Sequence, residues 1–359
     1  MKKILIYPVD KAIFAVLDNI DLLKEIEIVG LVSPKGWGYC GQEVYVNGKK
    51  ITITDQFEKL IKKSTDIWIV NSDNKLEFDK FILPMLEISV LRGVEVSIYR
   101  EFDDDINNLV NTKFKKIIVQ NVNSNNDISS YEGEIQIIDT PIILLLGLFE
   151  NFNDFNVQLV IRKELLKRGY KVLQIGSKNE SEIFGFESFP SFIKKHDIKE
   201  SSKILMLNSY IVRKMKEQKP DVIVLGVPGE ILPYSNKIHT DFGLTNFYVT
   251  KAISPDLTIL GLPFEIYNLL DIQNIKKNVE GLLGLVVDYF YVSDKKIDPW
   301  ETNTKGELET VTIDCDIFEN FKEIEPISNL FWGFSLDVFY TLAQKAISQL
   351  EEYGKVEII

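Results

Sequence analysis

Short apolar runs alternate with amphipathic stretches along the first hundred residues. "KKILIYP" reads as a buried strand. Asp10 then stands where it can cap a helix reaching about Lys24, with Ile13, Val16, Leu17, Ile20 and Leu23 on one stripe. "EIEIVGLVS" is a second strand, and "PKGWGYCGQEVYVNGKKITIT" a Gly-rich turn followed by a hairpin at Asn47–Gly48. "DQFEKLIKKS" reads as a short helix opened by Asp55, "TDIWIVNS" as a strand and "VEVSIYREF" as another. Between these two strands lies "KLEFDKFILPMLEISVLRG", a helix broken or kinked at Pro84. Apolar strand runs between helices imply a parallel sheet covered on both faces.

From about Asp103 to Thr140 the pattern fades into Asn, Asp and Ser, although "KKIIVQNV" and "EIQIID" can each add a strand. At Pro141 a second alternating series begins. "IILLLG" leads through a turn into the helix "NVQLVIRKELLKRG", which Gly169 ends. The strands "YKVLQIG", "PDVIVLGVPG", "PDLTILGLP" and "LVVDYFYVS" follow, separated by helical patterns, and an amphipathic helix, "SLDVFYTLAQKAISQLEEYG", comes last. No repeat of fixed period is present. The expectation is α/β, with two doubly wound, mostly parallel sheets. Residues 1–105 form a Rossmann-like domain, 106–140 an interdomain segment, and 141–359 a P-loop-NTPase-like domain with a degenerate phosphate loop.

Composition narrows the partners. The 359 residues are 45 % hydrophobic and 26 % charged, with a net charge of -12. That balance disfavours nucleic acid and anionic lipid and suits a basic peptide or protein. Cys40 and Cys315 make neither a disulfide framework nor a zinc pattern, and His196 and His239 form no HxxxH or HxH pair. No metal and no cofactor are expected. A thiol–imidazole pair of Cys40 or Cys315 with His239 is the one nucleophilic arrangement left. The apolar part of "MKKILIYPVD" is short for a signal sequence, and "PIILLLGLF" falls far below the roughly 18 residues of a membrane span. A cytoplasmic protein is expected.

Ligands of such sheets bind beyond the carboxyl ends of strands, and four loops there carry candidate chemistry. "YPVDKA" lacks the GxGxxG that a dinucleotide requires. "SPKGWGYCG" offers Gly36, Trp37, Gly38 and Tyr39 as a permissive aromatic loop for a ligand or a peptide backbone. The turn after "IILLLG" holds a phosphate-loop remnant: Gly147, Asn151, Asn153, Asp154 and Asn156. A working cradle, GxxxxGK[ST], supplies a lysine and a hydroxyl. Neither the strict alignment nor one longer by a residue supplies an ammonium here. The longer one places Asp154 at the lysine. Reversing one charge at about 4 Å swings the interaction by about 8 kcal/mol at an effective dielectric constant of about 20. That matches the whole binding energy of a micromolar ligand, about 8 kcal/mol. Helix-dipole attraction of up to about 2 kcal/mol does not offset it. Asn153 and Asp154 therefore read as helix caps.

The fourth loop, "GVPGEILPYSNKIHTDFG", gathers Pro228, Gly229, Glu230, Tyr234, Asn236, Lys237, His239 and Asp241, with Glu230 and His239 as acid–base candidates. "SKNESEIFGFE" is placed on the same sheet edge, so Glu180, Ser181 and Glu182 are expected to face that loop. Phe184, Phe186, Phe189 and Phe192 read as core or interface. Trp300, Phe331 and Trp332 belong either to a homodimer contact or to the core.

Three stretches carry a family resemblance: "LVSPKGWGYCGQE…ITDQFEKLIKKSTDIWIVNS", "VQLVIRKELLKRGYKVLQIGSKNESEIFGFESFP" and "DVIVLGVPGEILPYSNKIHTDFGL". In order, and over most of the chain, they resemble the clostridial family called peptide maturation system proteins, encoded beside bacteriocin-type peptide precursors and radical SAM enzymes. More distantly the layout is similar to proteins with a Rossmann-like front and a P-loop back domain, such as the D-glutamate N-acetyltransferase group. Their cradle departs here at Asn153, Asp154 and Asn156.

The resemblance implies a component of ribosomal peptide maturation. With the cradle's missing lysine, the acidic charge and the aromatic Gly-rich loop, the expectation is a protein that binds a precursor peptide or a modifying enzyme without hydrolysing NTP, more a binder than an enzyme. The alternative is a transferase or ligase at the interdomain cleft, nucleotide-dependent if it follows its relatives, with Ser181 or Asn236 positioning substrate. A small-molecule sensor is a third reading.

Overall fold

The structure is a computed structural model, and it describes residues 1–100, 102–114, 131–152, 154–313, 327–332 and 335–353. The chain divides into two compact units, Met1–Asn125 with Asn179–Ser188, and Asn126–Lys178 with Phe189–Ile359. Among the described residues no helix is long and apolar enough to cross a membrane.

The first unit is built on strands β1 (Lys2–Tyr7), β2 (Ile26–Val32), β3 (Glu43–Val46), β4 (Lys49–Thr54), β5 (Asp66–Ile69) and β6 (Glu95–Ile98), in the order β3-β4-β2-β1-β5-β6. All neighbours are parallel except the β3–β4 hairpin. That hairpin turns at Asn47 (φ +48°) and Gly48 (φ +73°), the left-handed pair a tight two-residue turn needs. Leu5, Ile67, Ile69, Val96 and Ile98 make one face of the core, packed by Phe57, Ile82 and Leu86.

The helix expected from Asp10 to Lys24 is instead a 3-10 turn (Lys11–Ile13), a short α-helix (Phe14–Asp18) and a second 3-10 turn (Ile20–Leu22). Asn19 Nδ2 bonds the Ala15 carbonyl at 2.9 Å, a side-chain bond that competes with helix continuation. The stripe survives the break, since Ile13, Val16, Leu17 and Ile20 are buried. The chain is not broken at Pro84: a π-helical turn, Phe78–Ile82, runs directly into the helix Leu83–Leu91, and Pro84 lies in the first turn of the latter.

The first unit runs beyond residue 105. Helix Asp104–Lys113, with Asp103 accepting from the Ile106 N–H at 2.8 Å, sends Val110 and the following Phe114 into its core. "KKIIVQNV" lies outside the described residues. "EIQIID" is not a strand. The backbone of Gln136 is satisfied by a side chain: its N–H donates to Asn208 Oδ1 at 2.8 Å and its carbonyl accepts from Asn208 Nδ2 at 3.0 Å.

The second sheet uses β7 (Ile142–Gly147), β8 (Val172–Gly176), β10 (Val222–Gly226), β11 (Leu257–Leu262), β12 (Tyr289–Val292) and β15 (Leu330–Trp332). β9 (Glu187–Ser188) falls in the first unit, and β13 (Lys295–Ile297) and β14 (Thr310–Thr312) form a separate hairpin. The neighbours run β15-β12-β11-β7-β10-β8, and every one of these pairings is parallel. Helices Phe155–Lys167 and Leu336–Tyr353 pack one face through Val157, Val160, Ile161, Phe339 and Leu342. Helices Glu200–Gln218, Leu244–Ala252 and Leu269–Leu283 bury Leu207, Ile211, Val249 and Val279 in the core of the other face. Phe331 is buried and Trp332 is half-buried beside Tyr267, whereas Trp300 is exposed. Phe184, Phe186, Phe189 and Phe192 are all buried.

Candidate functional site

The loop after β7 is where the second unit would hold a phosphate. Gly147 ends the strand, and the chain turns through Asn151 at φ +67°. Asp154 then caps helix Phe155–Lys167, its Oδ1 accepting from the Asn156 N–H at 2.9 Å. Asn153 lies outside the described residues.

The Asp154 N–H, a donor of the kind that faces anions at a helix start, goes to the hydroxyl of Tyr291 at 2.6 Å. The same hydroxyl donates to the Phe152 carbonyl at 2.7 Å. Tyr291 stands on β12, two strands from β7, fully buried, with its ring edge-on to Phe339 at 5.9 Å. Burial pushes its phenol well above the ordinary range, so it stays protonated and donates. A protein hydroxyl thus bridges the loop's backbone. Sequence reasoning missed Tyr291 because only the strand order reveals which side chain leans over the turn. The available signal was "YFYVSDKK", a strand end carrying chemistry.

That strand end also brings Asp294 and Lys295. Lys295 Nζ donates to the Asn151 carbonyl at 3.3 Å, so an ammonium does reach the turn, from another strand. Burial first, then the neighbouring Asp154 carboxylate, raises the Asp294 pKa. A carboxyl raised on folding opposes the folded state when ionised. The penalty is absent below the unfolded pKa of about 3.9, grows as pH rises through the folded value and is complete above it. Asp294→Asn is therefore expected to stabilise the protein at pH 7 and to do so less at pH 4, as read from urea denaturation at the two pH values.

The loop after β10 surrounds a cavity of about 390 Å³ lined by Glu150, His196, Lys203, Gly229, Asp241 and Tyr248 among others. Pro228 and Gly229 line it too, the glycine at φ +88°. Glu230 lies buried behind the loop. Its Oε1 accepts from the N–H groups of Thr240 at 2.8 Å and Phe242 at 3.2 Å, and its carbonyl from Asn246 Nδ2 at 2.8 Å. Burial raises the Glu230 pKa against those backbone bonds. Its carboxylate holds the loop's shape. His239 is exposed and stacks on Phe242 with ring centroids 3.8 Å apart. Tyr234 meets Phe149 edge-on at 6.1 Å, and Asn236 is exposed.

Inside the cavity Lys203, 5 % exposed, pairs with Glu200 at 3.2 Å and lies over the Tyr248 ring at 5.4 Å. The Tyr248 hydroxyl first, helped by Lys203 and His196, holds the Glu200 carboxyl below its usual range against the opposing effect of desolvation.

The carboxyl ends of β1 and β5, the parallel neighbours at which the order of strand connections reverses, are filled rather than open. Buried Asp10 accepts from the N–H groups of Ala12 (2.9 Å), Asp73 (2.9 Å) and Asn74 (3.4 Å), and from Asn74 Nδ2 (3.2 Å). Asp10→Ala is expected to cost about 2 kcal/mol, since several donors in a partly wet turn lose one acceptor; a thermal melt checks it. Arg100 reaches Ser72 Oγ at 2.9 Å, with the charges of Asp10 and Glu180 acting on it. Glu180 and Ser181 are buried in this first unit, where Glu180 Oε1 accepts from the Asn71 N–H at 2.9 Å. The 3-10 turn Asn179–Phe184 that carries them belongs to the first unit, although it follows β8 in the chain.

Gly36, Gly38 and Gly41 adopt φ of +93°, +82° and +91°. Trp37 and Tyr39 are half-buried, with Tyr39 edge-on to Phe14. Cys40 Sγ donates to the Ser33 carbonyl at 3.6 Å, and desolvation pushes its thiol up, away from the thiolate a nucleophile needs. Cys315 lies outside the described residues. Among those described, no cluster of His, Cys, Asp and Glu could hold a metal.

No protein-family model and no curated protein matches the chain. Among solved structures it is similar to a DUF1611 family protein from Anabaena variabilis, at 11% identity and a TM-score of 0.55, over 96% of this chain and 100% of that one. At that identity the likeness extends to the fold alone. A plasmid partition protein from Borrelia burgdorferi matches at 12% identity and a TM-score of 0.36, over 58% of this chain and 99% of that one. The kinase domain of the Escherichia coli tyrosine kinase ETK matches at 12% and 0.29, over 44% and 68%. Likeness at those two scores bears on neither fold nor function.

Proposed function

We propose that the protein is a binding component of a ribosomal peptide maturation system, taking a precursor peptide or a peptide-modifying enzyme without hydrolysing nucleoside triphosphate. One observation carries the second half of this reading. The Tyr291 hydroxyl takes the Asp154 N–H and the Phe152 carbonyl of the loop that would receive a phosphate. The loop itself contributes a carboxylate, Asp154, and no lysine. The three stretches resembling peptide maturation system proteins and the net charge of -12 support the first half. So does the role of Glu230, whose carboxylate is engaged in holding a loop.

Isothermal titration tests the reading. ATP and GTP with Mg²⁺ are expected to give no heat of binding at 100 µM, on the order of the weakest affinity a working cradle would show. A precursor peptide of the maturation system that this reading implies is expected to bind. Micromolar nucleotide binding, or failure of both the precursor and the peptide-modifying enzyme to bind, would overturn it.

A further inference from the structure

The cavity of the second unit joins two kinds of surface. Glu150 and Asp241 line it, with Glu150 Oε2 accepting from Thr240 Oγ1 at 2.5 Å. Asp241 accepts from the N–H groups of Gly243 at 3.0 Å and Thr245 at 2.9 Å, which answers the positive start of helix Leu244–Ala252. Glu230 lies behind the same turn. The lining carries three carboxylates, Glu150, Glu200 and Asp241, against two ammonium groups, Lys194 and Lys203, with His196 beside them, and Lys203 is paired with Glu200. Negative charge predominates on this wall.

Leu244 also lines the cavity, and it is 48% exposed. Phe242 and Phe247 are exposed beside it in sequence, 54% and 39%, with Leu244 and Phe247 three apart on one helix. Phe242 is held at φ +55°, a left-handed conformation unfavourable to an aromatic residue, by the bond from its N–H to buried Glu230. Strain of about 1–3 kcal/mol persists where the surroundings enforce it, and it gathers at binding sites.

The geometry points to a docking site for an extended peptide segment that places a lysine or arginine side chain in the cavity and apolar neighbours on Phe242, Leu244 and Phe247. The charge of the wall selects the cation. A volume of about 390 Å³ suits one long side chain with its backbone. The inference rests on the peptide-binding reading above and adds the chemistry that would be recognised.

The probe is a fluorescein-labelled peptide, Gly-Ser-Leu-Lys-Phe-Ser-Gly-Ser-Gly, with a counterpart carrying norleucine for lysine, both followed by fluorescence anisotropy on the full chain. The lysine peptide is expected to bind about tenfold more tightly, the scale of one charge-assisted contact. Glu150→Gln keeps an acceptor for Thr240 and removes only charge. It is expected to abolish most of that preference at an unchanged melting temperature. Leu244→Ser is expected to weaken both peptides alike. Equal binding of the two peptides, or a lysine preference that survives Glu150→Gln, would overturn the site.

Titration of the precursor peptide that the maturation reading implies separates the two readings. Precursor binding that the probe does not displace overturns this site and leaves the peptide reading intact. A lysine-selective probe site with binding of neither the precursor nor the peptide-modifying enzyme overturns the maturation reading and supports the site.

Discussion

Gly261→Ala is expected to destabilise the second unit by about 3 kcal/mol, the upper range for an overpacked core position. Gly261 lies in β11, paired with Gly147 of β7 on one side and Tyr291 of β12 on the other. A Cβ there would overlap the Phe152 carbonyl oxygen and press on the Tyr291 hydroxyl. Neither can yield cheaply. The carbonyl is backbone, the hydroxyl is bonded to it at 2.7 Å, and the tyrosine ring is enclosed. A glycine in a strand interior normally weakens it, and close approach of another backbone is the usual reason for one. Here the approaching backbone is the loop that Tyr291 bridges. Gly281→Ala is the opposite-sign control: it sits in helix Leu269–Leu283 with nothing within 4 Å of an added Cβ. It should stabilise by about 0.5–1 kcal/mol. Urea denaturation followed by circular dichroism reads both. A wild-type midpoint for Gly261→Ala would mean that the loop shifts freely and that the tyrosine does not fix it.

Local patterns made most of the fold legible. The apolar runs that form β1, β5, β7, β10 and β11 read directly as buried parallel strands, and Asn47–Gly48 announced its hairpin. Asp154 reads as a helix cap because the turn lacks the cradle's lysine, and it caps that helix. The misplacements share a physical cause. "EIQIID" has strand periodicity, yet its backbone is satisfied by the Asn208 side chain, a partner 72 positions away. The stretch after Asp10 has a helical stripe, but Asn19 closes the turn on Ala15. Residues 179–188 follow β8 in the chain and belong to the first unit, a tertiary choice that no local pattern encodes. At the phosphate-loop remnant, sequence showed the missing lysine. It did not show the hydroxyl that bridges the backbone, because Tyr291 comes from 137 residues further along.

Tyr291→Phe isolates that hydroxyl, and it is expected to cost about 3 kcal/mol. The ring and its edge contact with Phe339 are retained, so packing loss is small. What remains is a buried carbonyl at Phe152 and an N–H at Asp154 without the partner each has now. Leaving a buried polar group unsatisfied costs about 1–3 kcal/mol, and two are left at once. The same variant decides between two accounts of why the loop holds no phosphate. If the tyrosine merely covers a competent cradle, Tyr291→Phe should bind MgATP at micromolar concentrations by titration calorimetry. If the charge of the loop decides, removing a neutral hydroxyl changes little, because Asp154 still repels the triphosphate and Lys295 alone does not reverse the sum. The second outcome is expected: a less stable protein, faster hydrogen exchange at the Asp154 amide, and no heat of nucleotide binding. Recovery of MgATP affinity would show that the loop kept its phosphate chemistry beneath the tyrosine.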